Sequence, residues 1–436
     1  MLAAGLHAAD PGPLVRAALR VQGRRLIAAG QAYPLGRGRV LVLAAGKAAP
    51  AMAAAAEQVL GARLAEGLAV SNAPGPPLRR TRLLLAGHPL PDARGVQAAQ
   101  AAEAMVRGLT ADDIVLVLLS GGASALLPAP VPGLSLEDKS AVTARLMRAG
   151  AGITDLNTVR KHLSRLKGGG LARAAAPARV VTLVLSDVVG DDLSTIASGP
   201  TVPDPTTYAD ARRILDDRGL GSALPASALR HLEAGARGEV PETPKPRDPV
   251  FRRVRTRLIG SNRISVEAAA REARRQGLRP LVLTTRLEGE AREVARALVA
   301  ILRECVESGS PAAPPVCLLA GGETTVTVLG EGRGGRNQEM AVAAADLLAS
   351  FPVEAVAAFL ATDGVDGASE AAGGVADRTS LARARTLGLA PPSRFLAASD
   401  SGGFLAPLGD LIVTGPTGTN VVDLAVLLAA KRASVL

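Results

Sequence analysis

The sequence predicts an α/β fold divided into two domains. Short β-branched or leucine-rich runs alternate with alanine-rich stretches of helical length through most of the 436 residues, which is typical of parallel sheets with helical crossovers. A chain of this length usually needs more than one hydrophobic core. The proline-rich segment Pro241–Pro249 is the best candidate linker. We therefore expect domains at residues 1–240 and 250–436.

The alternation gives nine candidate strands and several long helices between them. The predicted strands are Val40–Leu43, Arg82–Leu85, Ile114–Leu119, Val180–Leu185, Arg257–Ile259, Pro280–Leu283, Val316–Leu319, Thr324–Val328 and Val356–Leu360. The predicted helices include Ala48–Leu60, Ala93–Arg107, Ile264–Gln276, Gly289–Glu307 and Asn337–Ala349. The pattern leaves open whether a helix from either end of the chain crosses to the other domain.

The basic composition favours small anionic substrates over nucleic acid. The formal charge is +10, from 50 basic and 40 acidic residues, yet only 2% of residues are aromatic. Few side chains can therefore stack on bases, and the basic residues are spread along the chain. We expect neither a nucleic-acid partner nor a membrane partner, and we leave a homodimer open.

Other features indicate a cytoplasmic enzyme without zinc. The longest uncharged run, Ile114–Leu134, is interrupted by glycines and prolines, so it is not a membrane span. The first residues show no basic stretch followed by an apolar stretch and a cleavage site, so we do not expect export. Cys305 and Cys317 lack metal-site spacing, and we expect them to be reduced and structural. The four histidines also lack zinc-ligand spacing.

The first candidate phosphate loop follows the strand Val40–Leu43. Gly46 and Lys47 stand between this strand and a helix, where backbone amides attract anions. The pattern is similar to half of a Walker A loop, but it lacks the first glycine and the Ser/Thr that would bind magnesium. Lys47 is therefore predicted to act as a point charge for a phosphate or carboxylate; the alternative is a solvated lysine in the first helical turn.

The second loop contains two serines around a glycine pair. Ser120, Gly121, Gly122 and Ser124 follow the strand Ile114–Leu119. Without Cβ atoms the glycines would let backbone amides approach a phosphate oxygen. A tight structural turn would have the same sequence. A serine nucleophile is disfavoured because no histidine stands as an obvious base.

A basic run and an acidic loop come next. Asn157, Arg160, Lys161 and Lys167 precede three glycines, and on a helix Arg160 and Lys167 would share a face suited to a polyphosphate. The alternative is a solvated basic helix with a glycine cap.

The acidic loop follows the strand Val180–Leu185. Its carboxylates Asp187 and Asp191 could bind magnesium or deprotonate a substrate hydroxyl. Asp192 could instead cap the next turn.

The second half of the chain also has polar loops beside its predicted strands. The loop with Glu323 precedes the predicted strand Thr324–Val328, and Gly330, Gly332 and Gly335 then satisfy G-x-G-x-x-G. That is formally a dinucleotide fingerprint, but the guanidinium of Arg336 suits a terminal phosphate or carboxylate better. The remaining candidates of this half are Asn337, Glu339, Asp363, Thr417 and Asn420. Six such loops together, with carboxylates on three of them, predict phosphoryl transfer.

Eight short runs of the sequence, in unchanged order nearly from end to end, resemble the class II glycerate kinases. The matching runs are Gly87–Pro89, Leu119–Gly122, Asn157–His162, Ser186–Asp191, Ser198–Thr201, Gly321–Thr325, Gly334–Glu339 and Gly415–Asn420. The resemblance implies an N-terminal Rossmann-like α/β domain, a smaller C-terminal α/β domain of the MOFRL type, and an active site in the cleft between them.

The resemblance also implies the reaction. It implies ATP-dependent phosphorylation of D-glycerate to 2-phosphoglycerate with Mg²⁺, and Lys47 and Arg336 match the basic residues that matter most in the family. Asp187 or Asp191 would orient or deprotonate the 2-hydroxyl, and Asp187, Asp191 and Asp363 are the candidate Mg²⁺ ligands. Two alternatives remain at this point: an NAD(P)H-dependent hydroxypyruvate reductase and a non-catalytic nucleotide- or RNA-binding module.

Overall fold

The computed structural model describes residues 1–221 and 223–430, which form two compact units. The first unit is Pro11–Ile259. The second unit combines Met1–Asp10 with the chain from Gly260 onward. No helix among the described residues is long and apolar enough to cross a membrane.

The elements are numbered here in chain order. The helices are α1 Leu2–Ala8, α2 Pro11–Ala18, α3 Ala49–Leu60, α4 Ala93–Val106, α5 Ala123–Leu126, α6 Leu136–Arg148, α7 Ile153–His162, α8 Gly170–Ala175, α9 Tyr208–Asp217, α10 Ala226–Ala236, α11 Asn262–Arg275, α12 Ala291–Glu307, α13 Arg336–Leu348, α14 Ser380–Thr386, α15 Pro392–Ala397 and α16 Ser401–Leu408. The strands are β1 Leu19–Gln22, β2 Arg25–Ala28, β3 Gln31–Pro34, β4 Val40–Ala45, β5 Leu64–Ser71, β6 Thr81–Leu85, β7 Ile114–Leu119, β8 Arg179–Leu185, β9 Val254–Gly260, β10 Arg279–Leu287, β11 Val316–Gly322, β12 Ala355–Ala361, β13 Gly373–Asp377, β14 Leu411–Ile412 and β15 Asp423–Ala429.

The first unit is built on a six-stranded sheet with the order β6-β5-β4-β7-β8-β9. The pairs from β6 to β8 are all parallel. β4 and β7 are buried at every residue, as expected for central strands covered on both faces. The parallel order brings the loops after β4, β7 and β8 to the same edge of the sheet, where open α/β sheets bind ligands.

A separate helical layer completes the first unit. Helices α6, α7, α9 and α10 enclose their own apolar cluster, which includes Leu146, Val159, Leu215 and Leu232. This cluster fixes the position of α7, whose last turn carries Arg160.

The second unit contains a mixed sheet with the order β10-β11-β15-β12-β13-β14. Only β10 and β11 pair in parallel; the remaining pairs are antiparallel. Leu318 packs towards the apolar cluster of α12 and α13, whereas Cys317 and Leu319 pack towards α11, as the two-residue period of a strand requires. The expectation of parallel sheets throughout is therefore wrong for this unit, because the antiparallel strand β15 enters its centre.

The division of the chain differs from the expected boundary between residues 240 and 250. The segment Pro241–Pro249 belongs to the first unit: Thr243 donates to Asp204 at 3.0 Å, and the Asp204 amide donates to the Pro244 carbonyl at 2.9 Å. The first ten residues also lie outside the domain expected for them. Helix α1 packs on α11 and therefore belongs to the second unit. There Ser265 donates to the Gly5 carbonyl at 2.7 Å.

One further local expectation is wrong, and another is consistent with the structure. Thr324–Val328 is not a strand; only one isolated bridge, between Glu290 and Thr325, forms there. The expectation for the cysteines is consistent with the structure, since Cys305 on α12 and Cys317 on β11 are both buried and free.

The Pro241–Pro249 segment also holds the acidic partner of a buried histidine. The Nδ1 atom of His162 bonds to the Thr158 carbonyl at 2.7 Å, and Nε2 bonds to Glu242 Oε1 at 3.0 Å. Burial opposes ionisation of Glu242, but the His162 bond and the amides of Thr243 and Tyr208 lower its pKa to about 2. The ionised carboxylate therefore stabilises the fold.

We expect Glu242→Gln to lower the melting temperature at pH 7, because the variant lacks this carboxylate. The folded pKa of about 2 lies below the ordinary value of 4.5, so the stabilisation is complete above pH 4.5 and is lost as the pH falls through about 2. In thermal unfolding followed by circular dichroism, the difference from wild type should shrink between pH 7 and pH 2.5. Glu239→Gln is the control, since the Glu239–Arg237 pair is exposed. A difference that does not change with pH would contradict the expectation.

Candidate active site

Lys47 stands in the turn between β4 and α3, and the protein itself uses the backbone amides of this turn. The Lys47 amide donates to the Gly121 carbonyl at 2.8 Å, and the Ala48 amide donates to Ser120 Oγ at 3.0 Å. The expected anion binding by these amides is therefore wrong. What the turn presents to a ligand is the Lys47 side chain, which is half-buried.

The turn after β4 and the loop after β7 meet at glycines. Gly46 has φ +127°, and a Cβ atom there would overlap Ser120 Oγ. A Cβ atom at Gly121 would overlap the carboxylate of Asp187, which belongs to the loop after β8. Both positions therefore require glycine. The three loops bring Lys47, the glycine pair and Asp187 together.

Next to this point lies a group of three cations, of which Lys139 and Lys167 are buried and Arg160 is half-buried. Arg160 donates to Ser124 Oγ at 2.5 Å, while Lys167 donates to the Ser124 carbonyl at 2.8 Å and to Ser124 Oγ at 2.9 Å. Lys139 donates to the Pro128 carbonyl. All these acceptors are neutral. Burial, and then Arg160 and Lys139, lower the pKa of Lys167 well below its ordinary value. A bound anion would relieve this repulsion.

The two serines of the site are held in a chain of hydrogen bonds. Ser124 Oγ lies 3.0 Å from Ser198 Oγ, and Ser198 donates to Asn157 Oδ1 at 3.1 Å. Since Ser198 uses its proton on Asn157, Ser124 donates to Ser198. The Ser124 hydroxyl is thus a scaffold for Arg160 and Lys167 and not an activated nucleophile.

Other predicted residues of the first unit have different surroundings. Helix α7 ends at His162, so the expected helical face running from Arg160 to Lys167 is wrong, although both side chains still reach Ser124. Lys161 lies 3.5 Å from Asp204, with side chains 5% and 0% exposed, which favours a structural role. Asp191 is half-buried with φ +59°. Asp192 caps the following turn through Ser194 and Thr195.

In the second unit Arg336 is the first residue of α13 and is held by carboxylates. Its Nε and one Nη bond to the two oxygens of Asp423 at 2.5 and 2.9 Å, and its other Nη lies 3.1 Å from Glu323. Burial raises the pKa of Asp423 to about 6, while Arg336 acts in the opposite direction. The guanidinium is therefore fixed in orientation by a bidentate pair.

The glycine fingerprint before α13 is not a dinucleotide site. No strand precedes it, and the amides of Asn337 and Gln338 donate to the Asp366 carboxylate at 3.1 and 2.8 Å. A Cβ atom at Gly335 would overlap Asp366. The helix N-terminus that would receive a pyrophosphate is already capped by a buried carboxylate.

The remaining predicted residues of the second unit are tied to their own surroundings. Glu339 accepts from Arg292 at 2.8 Å. Thr417 donates to the Thr362 carbonyl at 2.6 Å, and its amide donates to the Asp363 carbonyl at 3.3 Å. Asn420 accepts from the Val422 amide at 3.0 Å. These bonds order the loops; they do not identify a ligand.

Among the residues that contact predicted site residues, Ser198, His88, Asp366 and Asp423 were not themselves chosen as candidates. Ser198 and His88 belong to the quoted runs Ser198–Thr201 and Gly87–Pro89, so a signal was present for both. Asp366 shares a loop with the candidate Asp363, so the paired carboxylates were a signal, although they do not reveal which helix Asp366 caps. Asp423, the first residue of β15, had no signal, because a short apolar run does not reveal which arginine pairs with its first residue.

The architecture and the cation-rich loop edge define a two-unit α/β protein suited to anionic small molecules. The model of a domain of unknown function, DUF4147, matches residues 1–233, and the MOFRL family model matches residues 316–423. A glycerate 2-kinase of Pyrococcus horikoshii is 42% identical over 98% of this chain and 95% of its own length. A relative in Agrobacterium vitis with the provisional name hydroxypyruvate reductase is 45% identical over 90% of this chain and 87% of its own length.

A solved structure extends the similarity to the fold. The crystal structure of a glycerate kinase from Thermotoga maritima has a TM-score of 0.87 and 36% sequence identity, and the match covers 98% of this chain and 97% of that one. The chain belongs to the class II glycerate kinase family, which combines the DUF4147 and MOFRL domains.

The capping role of Asp366 can be tested by stability. Asp366→Asn replaces one acceptor oxygen with an NH₂ group facing the amides of α13, and we expect a loss of about 2 kcal/mol in the free energy of unfolding. Urea denaturation measures this change. Asp346→Asn, an exposed position on the same helix, is the control and should unfold like wild type. An equally small change at Asp366 would show that its carboxylate does not cap the helix.

Proposed function

We propose that the protein is a glycerate 2-kinase, which transfers the γ-phosphoryl group of ATP to the 2-hydroxyl of D-glycerate. One observation carries the proposal: Lys47, the Ser120–Ser124 loop and Asp187 meet at the carboxyl ends of three adjacent parallel strands. Beside them lie buried and half-buried cations that, among the described residues, bond only to neutral oxygens. Both substrates are anions. The membership of the family supports the same reaction.

Phosphoryl transfer requires the protein mainly to position the reacting groups and to stabilise the charge that develops on them. The Lys47 ammonium supplies a compact positive charge next to the glycine pair. Arg160 and Lys167, fixed on Ser124, supply a second positive region for a phosphate or carboxylate. Such fixed charges need no rearrangement when negative charge moves between oxygens, and this lowers the barrier.

The residues present also fit Mg²⁺ as a cofactor. Mg²⁺ usually binds proteins through one or two carboxylates and keeps waters and substrate phosphates as its other ligands. Asp187 would hold it against the glycine pair, with Asp191 on the same loop as the second candidate. The described residues contain no group of three His, Cys, Asp or Glu side chains that could hold a metal by themselves. Asp363 belongs to the second unit and is a less suitable ligand. When bound, Mg²⁺ would neutralise phosphate charge.

Arg336 is proposed as a further basic residue of the reaction. Its guanidinium is oriented by Asp423 and lies near Glu323, so its position does not depend on substrate. We propose that Asp423 sets this orientation and that Arg336 contacts an anionic oxygen of the substrates.

Phosphorylation of D-glycerate tests the function directly. The protein, ATP, Mg²⁺ and D-glycerate should release ADP, and ³¹P NMR should place the phosphate on the 2-oxygen. Formation of 3-phosphoglycerate alone would contradict the proposal. The reductase alternative requires oxidation of NADH or NADPH by hydroxypyruvate without ATP; the capped N-terminus of α13 disfavours it.

The proposed setting and assembly have their own tests. We propose that the protein acts in the cytoplasm on small molecules, with no nucleic-acid or membrane partner. Fractionation of cells tests the compartment. Light scattering of the purified protein tests whether it forms a homodimer.

We expect Lys47→Ala to lower kcat by on the order of a hundredfold, because a charge that stabilises the transferring phosphoryl group is lost. Steady-state kinetics measure the change, and the melting temperature should stay close to wild type because the turn is held by backbone bonds. Arg63→Ala removes an exposed positive charge from the same unit and should leave kcat unchanged. Wild-type turnover in Lys47→Ala would remove this role.

For Arg336 we expect Arg336→Lys to lose on the order of a hundredfold in kcat while remaining folded. The lysine keeps a positive charge beside Asp423 but cannot make the two parallel bonds of the guanidinium. Kinetics and thermal unfolding together measure this. Arg378→Lys changes a surface arginine–carboxylate pair in the same unit and serves as the control. Equal kcat values for the two variants would exclude a special role for Arg336.

A further inference from the structure

His88 approaches the Ser120–Ser124 loop from the segment that follows β6. A Cβ atom built on Gly122 would lie 2.9 Å from Cδ2 and 3.0 Å from Nε2 of His88, and 3.5 Å from Cγ of Lys47. Gly122 has φ +86° and no side chain of its own. The imidazole and the lysine stem therefore converge on the same glycine, at the edge of the sheet where the substrates are proposed to bind.

His88 differs from the other three histidines because, among the described residues, it combines a half-buried ring with ring nitrogens that make no hydrogen bond. Those of His162 bond to Thr158 and Glu242, and Nε2 of His231 lies 3.2 Å from the Tyr208 hydroxyl. His7 is exposed on α1 in the other unit. Among the hydrogen bonds of residues 1–221 and 223–430, none uses a ring nitrogen of His88. Its half-buried ring is thus available to a ligand.

We propose that His88 is the general base that accepts the proton of the glycerate 2-hydroxyl. The inference rests on the proposed function. In the step, the O–H bond of the 2-hydroxyl breaks and its proton passes to His88, while the oxygen forms a bond to the γ-phosphorus. The bond from that phosphorus to the bridging oxygen breaks, and its electron pair stays on ADP. The proton then leaves His88 to solvent.

The charged surroundings of His88 suit a base. Lys47 faces it from the turn after β4, and Asp187 lies across Gly121 from the loop after β8. Asp92, at the start of α4, accepts from the Gly87 amide next to His88. Burial, and then Lys47, lower the pKa of His88 from its ordinary value of 6.5. The ring is consequently neutral at pH 7, as a proton acceptor must be.

Asp187 is the competing base. Its carboxylate lies against Gly121 and is the best candidate for binding Mg²⁺, and a carboxylate on a cation accepts a proton poorly. The structure therefore divides two tasks between two side chains: Asp187 for the cation and His88 for the proton.

The experiment begins with wild-type protein, ATP, Mg²⁺ and D-glycerate. Absence of turnover would overturn the proposed function, whatever His88 does. Given turnover, we expect His88→Gln to lower kcat by about a hundredfold or more, since general bases contribute on that scale. The KM values for ATP and D-glycerate should stay close to wild type. The acidic limb of the wild-type pH–kcat/KM profile should disappear in the variant.

Chemical rescue separates proton transfer from a structural role. In His88→Ala, added imidazole should restore turnover in proportion to its neutral form, which a purely structural effect would not produce. His7→Gln should behave as wild type. Wild-type kcat and an unchanged pH profile in His88→Gln would overturn the inference, as would loss of the acidic limb in Asp187→Asn but not in His88→Gln.

A measurement on the wild-type protein tests the role of His88 without any variant, and so it does not depend on whether the variants fold. In protein carrying ¹⁵N-labelled histidine, D-glycerate added with a non-hydrolysable ATP analogue should shift the ring ¹⁵N resonance of His88. An unchanged resonance at saturating D-glycerate would overturn the inference.

Discussion

The proposed site depends on the close approach of three loops that meet at glycines. The turn after β4 touches the loop after β7 at Gly46 and Ser120, and that loop touches the one after β8 at Gly121 and Asp187. A single methyl group at either glycine would separate the loops. The parallel order of β4, β7 and β8 brings them to one edge, and the glycines let them come into contact. This approach brings Lys47 and Asp187 to the glycine pair, where His88 also lies against Gly122.

The two units use opposite ways of holding a cation. In the first unit Arg160 and Lys167 bond to the neutral oxygens of Ser124, so their charge is uncompensated and favours an incoming anion. In the second unit Arg336 is fixed by Asp423, and its charge is balanced before any ligand arrives. The uncompensated charge in the first unit attracts an anion, whereas the bidentate pair in the second unit fixes the orientation of the Arg336 guanidinium.

The sequence predicts where some strands end and which polar residues follow them. It predicts contacts between distant loops poorly. β7 matches its predicted bounds because six consecutive apolar residues lie between polar loops. β15 was missed, although it is central, because a short apolar run does not reveal where it enters a sheet. The caps and pairs made by Asp366 and Asp423 join residues 28 and 87 positions apart. Only the strand order decides such partners, and local pattern does not contain it.

The placement of α1 has a consequence for the order of events during synthesis. This helix is synthesised before the first unit, but its packing partner α11 begins only at Asn262, and the central strand β15 of the same unit follows later still. All residues of the first unit are translated before α11. Since domains tend to fold as units while the chain emerges, the first unit can fold before α1 has its packing partner, because the whole of Pro11–Ile259 lies between the two helices.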